Sequence, residues 1–186
     1  MSSTGRGATR RPNDDYQTPP RAIDALLHHV RPFGRVLEPC RGSGNIYRAL
    51  ENCRPRVTLL DWCELAEGRD FFDLEAPPRF YDWIVTNPPF SLAQEFIDRS
   101  LLLATNVVML LRLNFLESEV RREWWQTRLP TAIYVLSQRP GFLDAAGNRI
   151  GGANGKGGTD SCAYGWFVWS TLYSGIHVIG SPPLKK

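Results

Sequence analysis

Apolar and polar residues alternate along this chain in two rhythms. Ile23, Leu26, Leu27 and Val30 recur at i, i+3, i+4 and i+7, which predicts one buried stripe on a helix. Thr18, ahead of Pro19 and Pro20, supplies a cap and a first-turn proline for it. Residues 35–38 read as a strand, and Gly42-Ser43-Gly44 opens a second helix reaching about Asn52. Residues 57–60 predict a second strand that ends on Asp61. After the proline-rich stretch Ala76-Pro77-Pro78, the run 82–86 predicts a third strand. Ser91 and Gln94 have capping-box spacing for the next helix. Then come a strand at 106–111, a helix at 117–129, and strands at 132–137 and 164–170.

Strands that alternate with helices imply an α/β fold, a doubly wound and mainly parallel sheet. The last two strands, joined by a long glycine-rich loop, suggest an antiparallel hairpin at one edge. Trp166, Phe167 and Trp169 alternate along the last strand and are expected mostly in the core. Trp124 and Trp125 are expected in the core or facing a partner. Organisation reads as one domain over residues 14–181. A polar, basic tail covers 1–13 and a short tail covers 182–186.

Composition narrows the class. With 186 residues there is room for one domain with a real core, not for two large ones. Hydrophobic residues at 42% and charged residues at 22% are ordinary for a globular chain. No apolar run approaches the ~18 residues of a membrane span. The first residues are polar and basic and do not resemble a secretory signal. The four cysteines form no CxxC pair and only three histidines are present, so no metal is expected. Free thiols in a reducing, cytoplasmic compartment are the expectation. A net charge of +3 permits nucleic-acid binding without establishing it. Arg6, Arg10 and Arg11 either touch phosphate or belong to a solvated tail.

The candidate chemistry begins at Asn87-Pro88-Pro89-Phe90. Two prolines in succession stop the preceding strand, because neither can donate to a ladder. The stiff loop then lies at a strand's C-terminal edge, where open α/β sheets bind ligands. It offers an amide side chain, carbonyl acceptors and an aromatic face. An exocyclic amino group on a flat base needs those three things. Upstream, Glu38-Pro39-Cys40-Arg41-Gly42-Ser43-Gly44 is a strand end, an acid and a glycine turn into a helix. Tyr47 stands where a GxGxxG motif would have its third glycine, which weakens a pyrophosphate reading. The acid Glu38 points instead to a ligand with an amino group. A plain tight turn is the alternative. Asp61 stands where a carboxylate can accept ribose hydroxyls, or it is a surface acid. Asp70 can accept from an adenine amino group beside Phe71 or Phe72, with Asp73 as its competitor.

Tyr16-Gln17-Thr18-Pro19, then the glycine turn, then Asn87-Pro88-Pro89-Phe90, resembles the S-adenosylmethionine-dependent amino-methyltransferases. More narrowly the chain looks like the compact DNA adenine-N6 methyltransferases of phages and bacteria. Arg139-Pro140-Gly141-Phe142 and Tyr164-Gly165-Trp166-Phe167-Val168-Trp169 also look like that group. The similarity spans roughly residues 14–170. It implies a class I methyltransferase fold, S-adenosylmethionine as cofactor, DNA (duplex or single-stranded) as substrate and a location in a bacterial or phage-infected cell. Tyr16, Thr18 and Pro19 would close over the methionine part. Glu38, Pro39, Gly42 and Gly44 would line that part, with Asp61 at the ribose, Asp70 at the adenine and Asn87 at the transferred group. Asn87, Pro88, Pro89 and Phe90 would carry catalysis. No segment is long enough for a large target-recognition region, so short or loose specificity is expected. Cytosine N4, RNA adenine and a protein glutamine amide are alternatives within the same chemistry. A catalytically silent nucleic-acid-binding protein of this fold is the non-enzyme alternative, and a dinucleotide-binding protein is a further rival.

The loop 141–160 holds seven glycines with Arg149 and Lys156, and it does not match a P-loop. It is read either as a segment that orders on a nucleic-acid backbone or as a solvated hairpin tip. Arg112 and Arg139 are further candidates for nucleic-acid contact, and Arg112 with Arg121, Arg122 and Arg128 would form a second basic surface.

Overall fold

A computed structural model describes residues 17–142 and 162–180. Among the described residues seven strands form one sheet: β1 Gly34–Glu38, β2 Val57–Trp62, β3 Tyr81–Thr86, β4 Ala104–Arg112, β5 Ala132–Leu136, β6 Tyr164–Trp169 and β7 Gly175–Ile179. Their order is β2-β1-β3-β4-β6-β5-β7. All neighbours pair in parallel except β6, which is antiparallel to β4 and to β5. Four α-helices among the described residues accompany the sheet: α1 Pro20–His29, α2 Asn45–Glu51, α3 Ala93–Leu103 and α4 Arg122–Arg128.

Strand alternation sorts the core into two layers. Trp83, Val85, Val108, Leu110, Trp166 and Val168 face α1 and α2. Ile84, Val107, Met109, Leu111, Phe167 and Trp169 face α3 and Trp125 of α4. Both surfaces of the middle strands are therefore dry, which explains their near-continuous apolar runs. Trp166 donates its Nε1–H to the Ala22 carbonyl (2.9 Å), fixing the start of α1 to the sheet.

The expected fold class is what the structure has, a doubly wound and mainly parallel sheet with an antiparallel hairpin. That hairpin, β5–β6, lies one strand in from the edge, because β7 pairs beyond β5. Four smaller expectations are corrected. Thr18 does not cap α1: Pro19 holds the N-cap position and Pro20 begins the helix. Ser91 does not cap α3: a 3-10 turn, Phe90–Leu92, precedes it, and the N-cap residue Leu92 makes no side-chain cap bond. The helix expected at 117–129 is helical only from Arg122, since Val120, the one apolar residue of 117–121, is almost wholly exposed. β2 extends two residues further, because Leu37 and Glu38 carry the ladder on to Asp61 and Trp62.

Candidate functional site

The chain leaves β1 for β2 on one side and returns to β3 on the other, so the strand order reverses beside β1. A ligand crevice forms at the C-terminal ends of strands at such a switch point. A cavity of about 460 Å³ opens there, within the usual range for a small-molecule site. Its wall joins five distant pieces of sequence. Gln17 and Thr18 come from the segment before α1, Glu38 to Ser43 from the β1 turn, and Glu64 to Ala66 from the turn after β2. Asp70, Phe71 and Phe72 come from a 3-10 turn, and Asn87, Pro89, Ser91, Leu92 and Phe96 from the β3 loop and α3.

Glu38 is the last residue of β1 and is 1% exposed. Its Oε2 is buried with no hydrogen-bond partner among the described residues. Burial pushes its carboxyl well above the ordinary value, against the Tyr47 backbone N–H and the Arg41 charge, which pull it down. A buried carboxylate oxygen with unused capacity at a cavity wall is the donor-seeking half of an ammonium site. The turn that follows bends through Gly42 (φ 49) and Gly44 (φ 79), both in the left-handed region. A Cβ at Gly44 would come 3.2 Å from the Arg48 guanidinium. Burial also pushes the Cys40 thiol up, so it stays protonated.

Asp70 caps the 3-10 turn Phe71–Asp73 by accepting from the Phe72 N–H (2.9 Å). It lines the cavity and Asp73 does not, which separates the two candidates. Phe71 stacks on Phe96 at 5.0 Å and holds that wall in place. Asn45 donates to the Thr18 carbonyl (3.0 Å), tying the segment before α1 to the start of α2.

Asp61 is not in the wall. Because β2 runs on to Trp62, Asp61 still lies within the ladder, and its carboxylate is engaged there. It accepts from the Tyr81 hydroxyl (2.8 Å), Arg69 (2.8 Å) and the Trp62 N–H (2.8 Å). Burial alone would raise its carboxyl; these three donors together hold it below the usual value. Glu64, which sequence reasoning missed, is the acid that reaches the cavity from the end of β2. Its Oε2 accepts from the Gly42 N–H (2.6 Å) and so braces the glycine turn. Glu64 is the first acid after Asp61 and stands two residues beyond the end of β2, an end set by the ladder pairing with β1.

Asn87 and Pro89 line the cavity, while Pro88 is buried behind them. Phe90 turns the other way. Its ring lies against Tyr164 (5.6 Å) and Phe142 (6.3 Å), with the Arg112 guanidinium 4.7 Å above it. Arg139 is exposed after β5. Tyr16, Arg149 and Lys156 lie outside the described residues. Among the described residues no helix is long and apolar enough to cross a membrane.

The same architecture occurs in solved structures. One is a protein assigned as an RNA methyltransferase from Pyrococcus horikoshii (TM-score 0.59, 13% identity, 88% of this chain and 91% of that one). The chain has the class I methyltransferase fold. A second match is the methyltransferase subunit of a type I restriction-modification system from Streptococcus thermophilus (TM-score 0.54, 12% identity). It covers 88% of this chain, which spans about half of that subunit (47%). No protein-family profile and no curated protein matches the sequence. In this class I fold the cavity stands at the switch point beside β1, and the amide loop and the acid both line it.

Proposed function

We propose that this protein is an S-adenosylmethionine-dependent methyltransferase that methylates the N6 amino group of adenine in DNA, with short or loose sequence specificity. The observation that carries the reading is the cavity wall. It brings the buried acid Glu38, the Gly42 turn, Asp70 and Asn87 with Pro89 of the amide loop to one space at the sheet's switch point.

The residues present fit that cofactor. Glu38, with its unpartnered buried oxygen, would take the ammonium of the methionine part, beside Thr18 and the Gly42 turn. Glu64 would take the ribose hydroxyls in place of Asp61, and Asp70 would accept from the adenine amino group. The bound cofactor supplies a methyl group on a sulfonium, already a good leaving group, so the protein needs no covalent nucleophile. The chain's own task is alignment and electrostatics. An adenine amino nitrogen is a poor nucleophile because its lone pair is delocalised into the ring. Asn87 Oδ1 and the Pro88 carbonyl would accept its two N–H bonds, which draws the nitrogen towards tetrahedral geometry. Phe90, which faces away from the cofactor cavity, would stack on the ring from the other side of the loop, worth about 1–3 kcal/mol. A duplex would have to release the base first, at a few kcal/mol.

Two measurements test this. Calorimetry should show cofactor binding to the wild type and to Asn87→Ala alike. Methyl transfer should be lost in Asn87→Ala. Binding without transfer to any nucleic acid would move the assignment to a protein amide substrate or to a silent binding protein.

A further inference from the structure

Arg112 is the last residue of β4. Its position at the C-terminal end of β4 puts it on the same sheet edge as the Asn87 loop. In register it stands opposite Tyr164, at the end of the β4–β6 ladder. Arg112 Nε donates to the Tyr164 hydroxyl (2.9 Å), and its guanidinium lies 4.7 Å from the centre of the Phe90 ring. Tyr164 is fully buried and fixed by Phe142, at 5.0 Å edge-on. A rigid phenol thus holds a planar cation, and the planar cation lies over Phe90.

We propose that Arg112 is a positioning residue for the target base: it clamps the Phe90 ring from one side and so sets the plane on which the base stacks. This rests on the methyltransferase reading above. Tyr164 and Phe142 flank the Phe90 ring. The guanidinium adds a flat cation over the ring, and its hydrogen bond to Tyr164 fixes the guanidinium in turn, so ring and cation are held as one unit. In-line transfer needs the amino nitrogen placed to within a fraction of an ångström, so a tilt of the stacking plane is felt in turnover. The rival role is a direct phosphate contact, which would draw the guanidinium away from the ring.

The experiment compares wild type, Arg112→Ala, Arg112→Lys and Tyr164→Phe on single-stranded and duplex DNA, over a series of salt concentrations. Cofactor affinity, measured on the same preparations, reports that each variant is folded. The expected result for Arg112→Ala is a kcat lowered about 10- to 100-fold, with the slope of log KM against log salt unchanged. Tyr164→Phe should lower kcat by a smaller factor in the same way. Arg112→Lys should recover part of the loss, since it keeps the charge over the ring but not the planar fork. A kcat equal to wild type would overturn the proposal. So would a salt slope reduced by about one with kcat unchanged, which marks a lost phosphate contact. A wild type that transfers no methyl group to either DNA removes the methyltransferase reading itself and this role with it.

Discussion

Replacing Glu38 by Gln should move affinity and stability in opposite directions. The side chain is 1% exposed, ends β1 at the cavity, and leaves Oε2 without a hydrogen-bond partner among the described residues. Glutamine keeps the shape and one acceptor oxygen but removes the charge. A hydrogen bond to a charged group is worth about 1.5–3 kcal/mol, so affinity for S-adenosylmethionine should fall about 10- to 150-fold. Without ligand, the substitution removes a carboxyl whose ionised form is penalised by burial, and the melting temperature should stay level or rise. The pH dependence follows with its sign. Burial raises the folded pKa, so the folded state holds the proton to higher pH than the unfolded chain does. This contribution to stability is complete below the unfolded carboxylate range and is lost as pH rises through the folded pKa. Binding an ammonium favours the ionised form, so wild-type affinity should improve as pH rises through that value, with a proton released. Affinity of the Gln variant should not follow that titration. Calorimetry in buffers of different ionisation enthalpy reads both quantities. A Gln variant that binds as tightly as wild type, with the same proton release, would show that Glu38 does not meet the ammonium.

Three further outcomes follow. Glu64→Ala should weaken cofactor binding more than Asp61→Ala, which should instead cost about 1–2 kcal/mol of stability in denaturant unfolding by stranding the Tyr81 hydroxyl and Arg69. The reverse order of affinities would return the ribose role to Asp61. Trp166→Phe should destabilise by about 2–3 kcal/mol, since a buried indole hydrogen bond to the Ala22 carbonyl is lost and a gap remains; an unchanged unfolding midpoint would show that the bond holds nothing. Burial, with the charges of His28 and His177, lowers the His29 pKa. The unfolded chain therefore takes up that proton first, and stability should fall as pH drops from about 6.5 to the folded value. His29→Gln should flatten this part of a stability–pH curve.

Much of the fold could be read from side-chain period. The middle strands are dry on both faces, so their runs of Val, Ile and Leu stand out, and the glycine turn and double proline mark where two of them stop. β7 was missed because four of its five residues are exposed, which gives an edge strand no burial pattern to read. The antiparallel insertion of β6 between β4 and β5 is a matter of long-range pairing that local period does not encode. At the site, Glu38, Asp70 and Asn87 were legible because each sits at a strand end or turn signalled by its neighbours. Glu64 was not, since two extra ladder pairs decide which acid clears the edge of β2. Arg112 was legible as a cation, but its contact with Phe90 depends on Tyr164 arriving from more than fifty residues later in the chain.

Methyl transfer from radiolabelled S-adenosylmethionine tests the central claim most directly. The substrates are unmethylated duplex DNA, single-stranded DNA and RNA, with nucleoside analysis of each product. The account predicts N6-methyladenine in DNA, absent with Asn87→Ala although that variant still binds the cofactor. Label in RNA alone, in N4-methylcytosine, or in no nucleic acid despite measurable cofactor binding would contradict it.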